Sequence, residues 1–214
     1  MIVVGAPNQW VELLDSFVPE ILELVRSTWG TMPSFPSDQR EDPTTEEFCR
    51  RLRKSRGIVD LPLRIDIQAV ELDPAADQDQ GRMDIAFSPM VPDESIYFCL
   101  ECKRLNVVRD GAVRAYSSEY VTHGMLRFVT GQYAAVVRQG GMLGYVMDRD
   151  MPRAIHNVEG VIKRRHKELA MNSPGNLAQS SIRTADAAAN ESWHQRKNSS
   201  NRDFLLHHLF VSRP

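Results

Sequence analysis

Three features of the sequence predict an α/β protein whose mixed central sheet is flanked by helices. Residues 61–69 and 81–89 alternate apolar and polar side chains, which is the two-residue period of strands with one buried face. The run SIYFCLECKRL is rich in β-branched and aromatic residues and is short enough for a central strand. Before and after these strands, apolar residues recur every three or four positions, as they do in amphipathic helices.

The N-terminal part of the chain predicts helices over residues 9–29. The apolar residues at helical spacing are Val11, Leu14, Phe17, Ile21, Leu22 and Val25. Pro19 interrupts this pattern, so it fits either one kinked helix or two helices. After a loop rich in Pro, Ser and Asp, Thr44 begins a capping box with Glu47. We therefore expect the core of the fold to begin with a short helix over residues 44–56.

Three strands are expected to follow this helix. The first two are separated by the turn sequence PAADQDQG and should pair as a hairpin. The third is the run SIYFCLECKRL. A helix is then predicted over residues 117–137, with Ser117 or Ser118 as its cap, and the strand GMLGYVMD should begin after a stop at Gly140 and Gly141.

The C-terminal extension, residues 150–214, predicts a basic helix, a polar stretch and a final strand. The polar stretch over residues 172–202 is typical of a loop, a loose helix or partial disorder. The final run FLLHHLFV reads as a strand that could pair with WHQR. We expect a single domain over residues 1–214 with its core at about residues 44–148.

Composition limits the class of protein. Hydrophobic residues make up 42% of the chain and charged residues 25%, which allows a buried core. The start lacks a basic leader before an apolar run, and the sequence shows no apolar stretch long enough to cross a bilayer. Three cysteines suit a reducing compartment. The expectation is a cytoplasmic protein that does not bind membranes.

Charge is distributed unevenly along the chain. Residues 1–102 carry 19 Asp and Glu against 9 Lys and Arg, whereas residues 103–214 carry 9 against 17. A basic face in the second half could meet phosphate while the acidic half supplies metal ligands. Alternatively, the two halves neutralise each other within the fold.

The third predicted strand and the strand before it carry the polar residues of a candidate site. Glu101 and Lys103 lie two positions apart and therefore point to the same face. Asp84 interrupts the apolar pattern of the preceding strand, so it meets Glu101 if the two strands are neighbours. Two carboxylates can bind Mg²⁺ or Mn²⁺, and the carbonyl of Cys102 could add a ligand. With Lys103 orienting a water or contacting phosphate, this arrangement favours phosphodiester hydrolysis.

The residues Met83-Asp84 and Glu101-Cys102-Lys103 resemble the PD-(D/E)XK superfamily of restriction-endonuclease-like nucleases. The resemblance covers roughly residues 44–148 and implies an αβββαβ core, metal binding by Asp84 and Glu101, and catalysis by Lys103. Glu47, or its neighbour Glu46, corresponds to the acidic residue that many members keep on the first helix.

Two departures from the family pattern are visible. Met83 stands where the name-giving proline would be, at a position that does not touch the metal. The helix after the third strand lacks a Gln-x-x-x-Tyr motif and has GMLRFVTGQY instead, which disfavours the RecB-like exonuclease branch. The resemblance implies cleavage of nucleic acid, with DNA favoured over RNA, and it is compatible with a homodimer that cuts two strands.

Other polar residues have two interpretations each. Arg127, His123, Gln132 and Tyr133 could contact nucleic acid from the helix after the third strand, but Arg127 could equally form a salt bridge. Lys163 and Arg164 could bind a nucleic-acid backbone, although a charged run on a helix is often only a solvated face.

The site itself also leaves alternatives open. Glu101 and Lys103 could form a simple ion pair on the strand. The chain could likewise be a catalytically silent module with a nuclease fold that binds nucleic acid or protein. A cysteine hydrolase is disfavoured because no nucleophile-turn signature surrounds Cys99 or Cys102. His194, His207 and His208 lack metal-ligand spacing and are interpreted as structural.

Overall fold

The computed structural model describes residues 5–71, 81–171, 175–197 and 202–214. The strands in chain order are β1 (Leu63–Val70), β2 (Arg82–Pro89), β3 (Phe98–Leu105), β4 (Val107–Arg109), β5 (Ala112–Arg114), β6 (Gln139–Val146), β7 (Ala178–Gln179), β8 (Ala189–Gln195) and β9 (Asp203–Ser212). The helices are α1 (Pro7–Trp29), α2 (Glu41–Val59), α3 (Ser117–Tyr120), α4 (Leu126–Val129) and α5 (Met151–Arg165), with a π-helical turn over Val121–Met125. The predicted α/β class, a mixed sheet with flanking helices, is confirmed.

Seven strands form one sheet in the order β1-β2-β3-β6-β9-β8-β7, and β4 pairs with β5 in a separate hairpin. The predicted pairing of the first two strands is confirmed, since β1 is antiparallel to β2. β2 is antiparallel to β3, whereas β3, β6 and β9 run parallel to one another. The chain thus follows a helix with three antiparallel strands, a helical segment and a fourth strand parallel to the third.

Helices cover both faces of this sheet. Tyr145 of β6 stacks on Trp29 of α1 and hydrogen-bonds Thr45 of α2. Met142 of the same strand approaches Gly124 of the π-helical turn. Because residues three apart on a strand point to opposite faces, α1 and α2 lie on one side of the sheet and the π-helical turn on the other.

Pro19 does not divide the N-terminal segment. α1 is one continuous helix from Pro7 to Trp29, with Pro19 inside it. Pro19 is exposed while Val18 and Ile21 beside it are fully buried. Water can therefore hydrate the carbonyl that loses its partner, and the buried apolar face keeps the helix continuous.

The capping box predicted at Thr44 is wrong. α2 begins at Glu41, and the Thr44 hydroxyl donates a hydrogen bond to the Arg40 carbonyl from inside the helix. Glu41 and Asp42 occupy the first turn, where carboxylates interact favourably with the helix dipole. This earlier start brings Glu41 to the C-terminal part of β3, where it contacts Lys103 and Arg104.

The helix predicted over residues 117–137 is shorter and less regular than expected. It begins after Tyr116, which has a left-handed backbone, and no side chain of the described residues, including Ser117 and Ser118, caps it. It passes through the π-helical turn and ends at Val129. Gly131 and Ala134 then have φ values of 79° and 56°, which no helix can contain.

The remaining expectations concern the later strands and two polar segments. Gly140 and Gly141 lie within β6 instead of stopping a helix, and a Cβ on Gly141 would come 2.5 Å from Leu100 Cδ2. The predicted pairing of the last strand is confirmed, because Trp193 of β8 faces Leu205 of β9. Part of the polar stretch forms β7 and β8, and the turn PAADQDQG lies almost wholly outside the described residues.

Candidate active site

The ladder between β2 and β3 ends where the candidate site begins. Its backbone pairs run from Phe87 and Phe98 to Ile85 and Leu100. Beyond these pairs, a side chain of β2 replaces its backbone as the hydrogen-bond partner of β3. The amide of Cys102 donates a hydrogen bond to Asp84 Oδ2 at 2.7 Å. A bond between a backbone amide and a carboxylate therefore fixes Asp84 beside β3.

The acidic residues of the site surround the Nζ of Lys103. Its Nζ donates hydrogen bonds to Glu101 Oε1 at 2.8 Å and to the Cys102 carbonyl at 2.8 Å. The same atom lies 3.9 Å from Asp84 Oδ2. The structure thus brings Asp84, Glu101 and Lys103 together, with the carbonyl of Cys102 beside them.

Glu101 is the most buried member of this group. Only 1% of its surface is exposed, and its Oε1 also accepts a hydrogen bond from Arg127 Nη1 at 2.8 Å. Within the described residues its Oε2 has no hydrogen-bond partner. Burial, together with the nearby charge of Asp84, raises the pKa of Glu101 to about 7 despite Lys103 and Arg127.

The other two members of the group also have shifted pKa values. Burial raises the pKa of Asp84, although Lys103 and the Cys102 amide oppose the shift. For Lys103, burial lowers the pKa, but the surrounding carboxylates outweigh it and the net shift is upward. Lys103 therefore remains a cation and can act as a hydrogen-bond donor at neutral pH.

The acidic residue that the first core helix contributes is Glu41 and not Glu47. Glu41 Oε1 accepts a hydrogen bond from Lys103 Nζ at 3.2 Å, and its Oε2 accepts one from the Arg104 amide at 3.0 Å. Glu47 instead pairs with Arg50 and Arg51 on its own helix. The sequence signal for Glu41 was its place beside Asp42 and Pro43, a composition typical of a first helical turn.

The helical segment after β3 supplies Arg127 to the site. A Cβ on Gly124 would overlap Met142 Cε and lie 3.7 Å from Glu101 Cγ, so glycine lets the π-helical turn approach β3 closely. This approach places Arg127 against Glu101. The salt-bridge interpretation of Arg127 therefore describes the structure, and its side chain keeps 34% exposure.

The other three residues of this segment that were predicted to contact nucleic acid range from buried to exposed. Tyr133 is fully buried, accepts a hydrogen bond from Arg127 and donates one to the Arg82 carbonyl. Gln132 is half-buried near Gly81, and His123 is exposed on the π-helical turn. The sequence does not indicate that Tyr133 connects Arg127 with the Arg82 carbonyl, because this contact depends on the chain turning back after Val129.

Lys163 and Arg164 lie apart from the ion-pair network of the site. Both are exposed in the last turn of α5. The ion pairs found among the described residues include neither side chain with Asp84, Glu101 or Lys103. Their position fits a solvated helix face as well as it fits an outer contact to phosphate.

The capacity of the site for a metal follows from its donor atoms. Among the described residues, no group of three or more His, Cys, Asp or Glu side chains is arranged to hold a metal ion. Mg²⁺ commonly needs only one or two carboxylates, because waters and substrate phosphates complete its octahedral shell. That requirement is met by Asp84, the Cys102 carbonyl and the Oε2 of Glu101, which has no partner in the described part of the chain.

In the described residues, no helix is both long and apolar enough to span a membrane. Comparisons with protein-family models, curated proteins and solved structures found no match to this chain.

Proposed function

We propose that this protein is a nuclease that uses Mg²⁺ or Mn²⁺ to hydrolyse phosphodiester bonds, with DNA favoured over RNA. The observation that carries the proposal is the position of Lys103 Nζ, 2.8 Å from Glu101 Oε1 and 3.9 Å from Asp84 Oδ2. A buried, unpaired carboxylate oxygen next to a second carboxylate and an ammonium group is costly for stability and typical of a functional site.

The order of the elements supports the same proposal. A helix, three antiparallel strands, a helical segment and a strand parallel to the third are the parts of a restriction-endonuclease-like core. Asp84 and Glu101 lie on the two strands that this resemblance requires. Because fold alone does not imply activity, the proposal depends on the site residues and not on the architecture.

The chemistry divides between the cation and the chain. A bound Mg²⁺ or Mn²⁺ supplies a Lewis acid for the phosphodiester and lowers the pKa of a bound water. Asp84 and Glu101 would hold the cation, and Lys103 would donate a hydrogen bond to the attacking water or to a phosphate oxygen. In this reaction the water oxygen would bond to phosphorus while the phosphorus bond to the leaving oxygen breaks. One proton of the water would end on the leaving oxygen, and the other would stay on the new phosphate group or pass to solvent.

The decisive experiment measures cleavage of plasmid DNA, single-stranded DNA and RNA in Mg²⁺, Mn²⁺ or EDTA. We expect cleavage in either metal, none in EDTA, and at least a hundredfold loss in Lys103→Ala, because that variant loses the cationic donor at the site. Lys54→Ala is the matched control, since Lys54 is exposed on α2 and takes no part in the ion pairs of Asp84, Glu101 and Lys103. Equal cleavage by Lys103→Ala and the wild-type protein would contradict the proposal.

A catalytically silent module is the second candidate, and one observation favours it. Glu101 is almost fully buried, and its Oε1 is already held by both Lys103 and Arg127. Under this alternative, the protein binds nucleic acid equally in Mg²⁺ and EDTA and cleaves none of the substrates. A homodimer with two such sites would place one site at each strand of a duplex, so a homodimer belongs to the nuclease proposal.

A further inference from the structure

The two strands that carry the carboxylates separate at the site. Backbone pairing between β2 and β3 stops at Ile85 and Leu100, one residue before Asp84 and Glu101. The bond from the Cys102 amide fixes Asp84 on one side of this opening. Glu101 needs its own support, because β2 no longer pairs with β3 at this point and a glutamate side chain can rotate about its torsions.

A chain of three hydrogen bonds crosses the opening. Tyr133 donates from its hydroxyl to the Arg82 carbonyl at 2.6 Å, and the same hydroxyl accepts from Arg127 Nη1 at 2.7 Å. Arg127 Nη1 also donates to Glu101 Oε1 at 2.8 Å. The first residue of β2 is thereby connected to the carboxylate on β3, and we call Arg82, Tyr133, Arg127 and Glu101 the bridge.

The bridge is held rigidly at Tyr133. The ring of Tyr133 is fully buried, and it packs so closely against Gly81 that a Cβ there would overlap it. The Arg127 guanidinium carbon lies 5.5 Å from the centre of this ring, within the range of a cation–π contact. The hydroxyl uses both its donor and its acceptor capacity within the bridge, so Tyr133 fixes the direction of Arg127.

The bridge determines which oxygen of Glu101 is available. Lys103 and Arg127 both donate to Oε1, whereas Oε2 has no partner among the described residues. Two charge-assisted hydrogen bonds on one oxygen orient the whole carboxylate. The orientation of the other oxygen, Oε2, is thereby fixed as well.

We propose that Tyr133 and Arg127 are positioning residues that orient Glu101 so that its Oε2, together with Asp84, binds a divalent cation. This inference rests on the proposed function and adds a support that neither strand provides. Outer partners that orient a ligand typically change metal affinity by about 10- to 100-fold when they are removed.

The test measures Mn²⁺ binding to metal-free protein by titration calorimetry, which does not depend on cleavage. Tyr133→Phe keeps the ring and the charge of the site but removes the hydroxyl, and we expect about tenfold weaker binding. Arg127→Lys keeps the positive charge but cannot span both partners, so it should weaken binding in the same direction. Arg127 is one-third exposed, so this second variant serves if Tyr133→Phe does not fold.

Tyr120→Phe is the matched control. Tyr120 is equally buried, and its hydroxyl hydrogen-bonds His208 Nδ1 at 2.9 Å, outside the bridge. We expect Tyr120→Phe to lower the melting temperature while its Mn²⁺ affinity stays at the wild-type value. Thermal unfolding of every variant, measured in parallel, separates a loss of stability from a loss of metal affinity.

Asp84→Asn separates the two levels of the argument. Wild-type binding that disappears in Asp84→Asn but is unchanged in Tyr133→Phe and Arg127→Lys overturns the positioning role and leaves the proposed function standing. If the wild-type protein does not bind Mn²⁺, or if Asp84→Asn binds it equally well, the proposed cation site is wrong. The positioning role is then wrong as well.

Discussion

Two of the buried polar clusters in the described part of the chain differ in how completely their atoms are paired. The candidate active site combines Asp84, Glu101 and Glu41 with the cations Lys103 and Arg127. A second cluster, which we call the histidine chain, joins Tyr120, His208, Ser192 and His194 between α3, β9 and β8. The first cluster is charged and leaves a carboxylate oxygen unpaired among the described residues, whereas the second is neutral and has a partner at each step.

The hydrogen bonds of the histidine chain run in one direction. His194 Nδ1 lies 2.7 Å from the Leu169 carbonyl, which can only accept, so this nitrogen carries the proton. His194 Nε2 must then accept from the Ser192 hydroxyl, whose oxygen accepts from His208 Nε2. His208 Nδ1 in turn accepts from Tyr120. One backbone carbonyl thus determines the tautomers of both rings.

We interpret the contrast as one between a structural cluster and the cluster that we propose to be functional. Buried polar groups are normally satisfied, and the histidine chain follows this rule while joining three elements of the fold. The active-site cluster departs from it at Glu101, whose pKa burial raises to about 7. Changes to the two clusters should therefore have opposite consequences for activity and for stability.

The largest expected effect comes from Glu101→Gln, which keeps the shape of the side chain and removes its charge. We expect metal-dependent cleavage to fall at least a hundredfold, because a cation loses a charged ligand. The folded protein disfavours the ionised carboxylate, so at pH 8 the free energy of unfolding should stay equal or rise. Cleavage rates and urea unfolding of the same preparations measure both quantities.

Glu191→Gln is the control for this substitution. Glu191 is also buried, but it lies on β8, three strands away from β3 in the sheet. Its Oε2 accepts hydrogen bonds from the amide and the hydroxyl of Ser181. Its replacement should leave cleavage unchanged. A strongly destabilised Glu101→Gln variant would contradict the comparison, since Glu101 would then be the centre of a structural ion pair.

An intermediate effect is expected from Ser192→Ala in the histidine chain. The substitution leaves a ring nitrogen of His194 and one of His208 buried without a partner, which costs about 1–3 kcal/mol of unfolding free energy. Cleavage per folded molecule should not change. Ser16→Ala, which removes an exposed hydroxyl of α1, should change stability by less than about 0.5 kcal/mol. A Ser192→Ala protein of normal stability would show that the chain does not hold these elements together.

The sequence predicted the parts of the candidate active site that depend on local patterns. Alternation along a strand places Glu101 and Lys103 on one face, and the adjacent strand brings Asp84 to them. Glu41 was missed because the capping box at Thr44 placed the helix start three residues late. Tyr133 could not be recognised as part of a bridge, since its position follows from positive φ values at Gly131 and Ala134.

The extension of the sheet shows the same limit. The final strand and its partner β8 were predicted from their composition, and their pairing is confirmed. That β9 also lies parallel to β6 depends on contacts between segments some 60 residues apart, such as Gly140 with Leu206. A pattern within one segment does not specify such a partner.

The smallest expected effect is a change in the pH dependence of stability. Burial lowers the pKa of His194 to about 4 and the pKa of His208 well below its usual value. An unfolded histidine has a pKa of about 6.5, so the unfolded chain binds more protons at acidic pH. The stability from the neutral rings is therefore complete above pH 6.5 and is lost as the pH falls towards 4.

In His194→Gln, the slope of unfolding free energy against pH should become shallower between pH 6.5 and 4, by at most about 1.4 kcal/mol per pH unit. His156→Gln, at an exposed position on α5, should keep the wild-type slope. An unchanged slope in His194→Gln would mean that this ring is not held neutral in the folded protein, and the contrast with the charged active site would then fail.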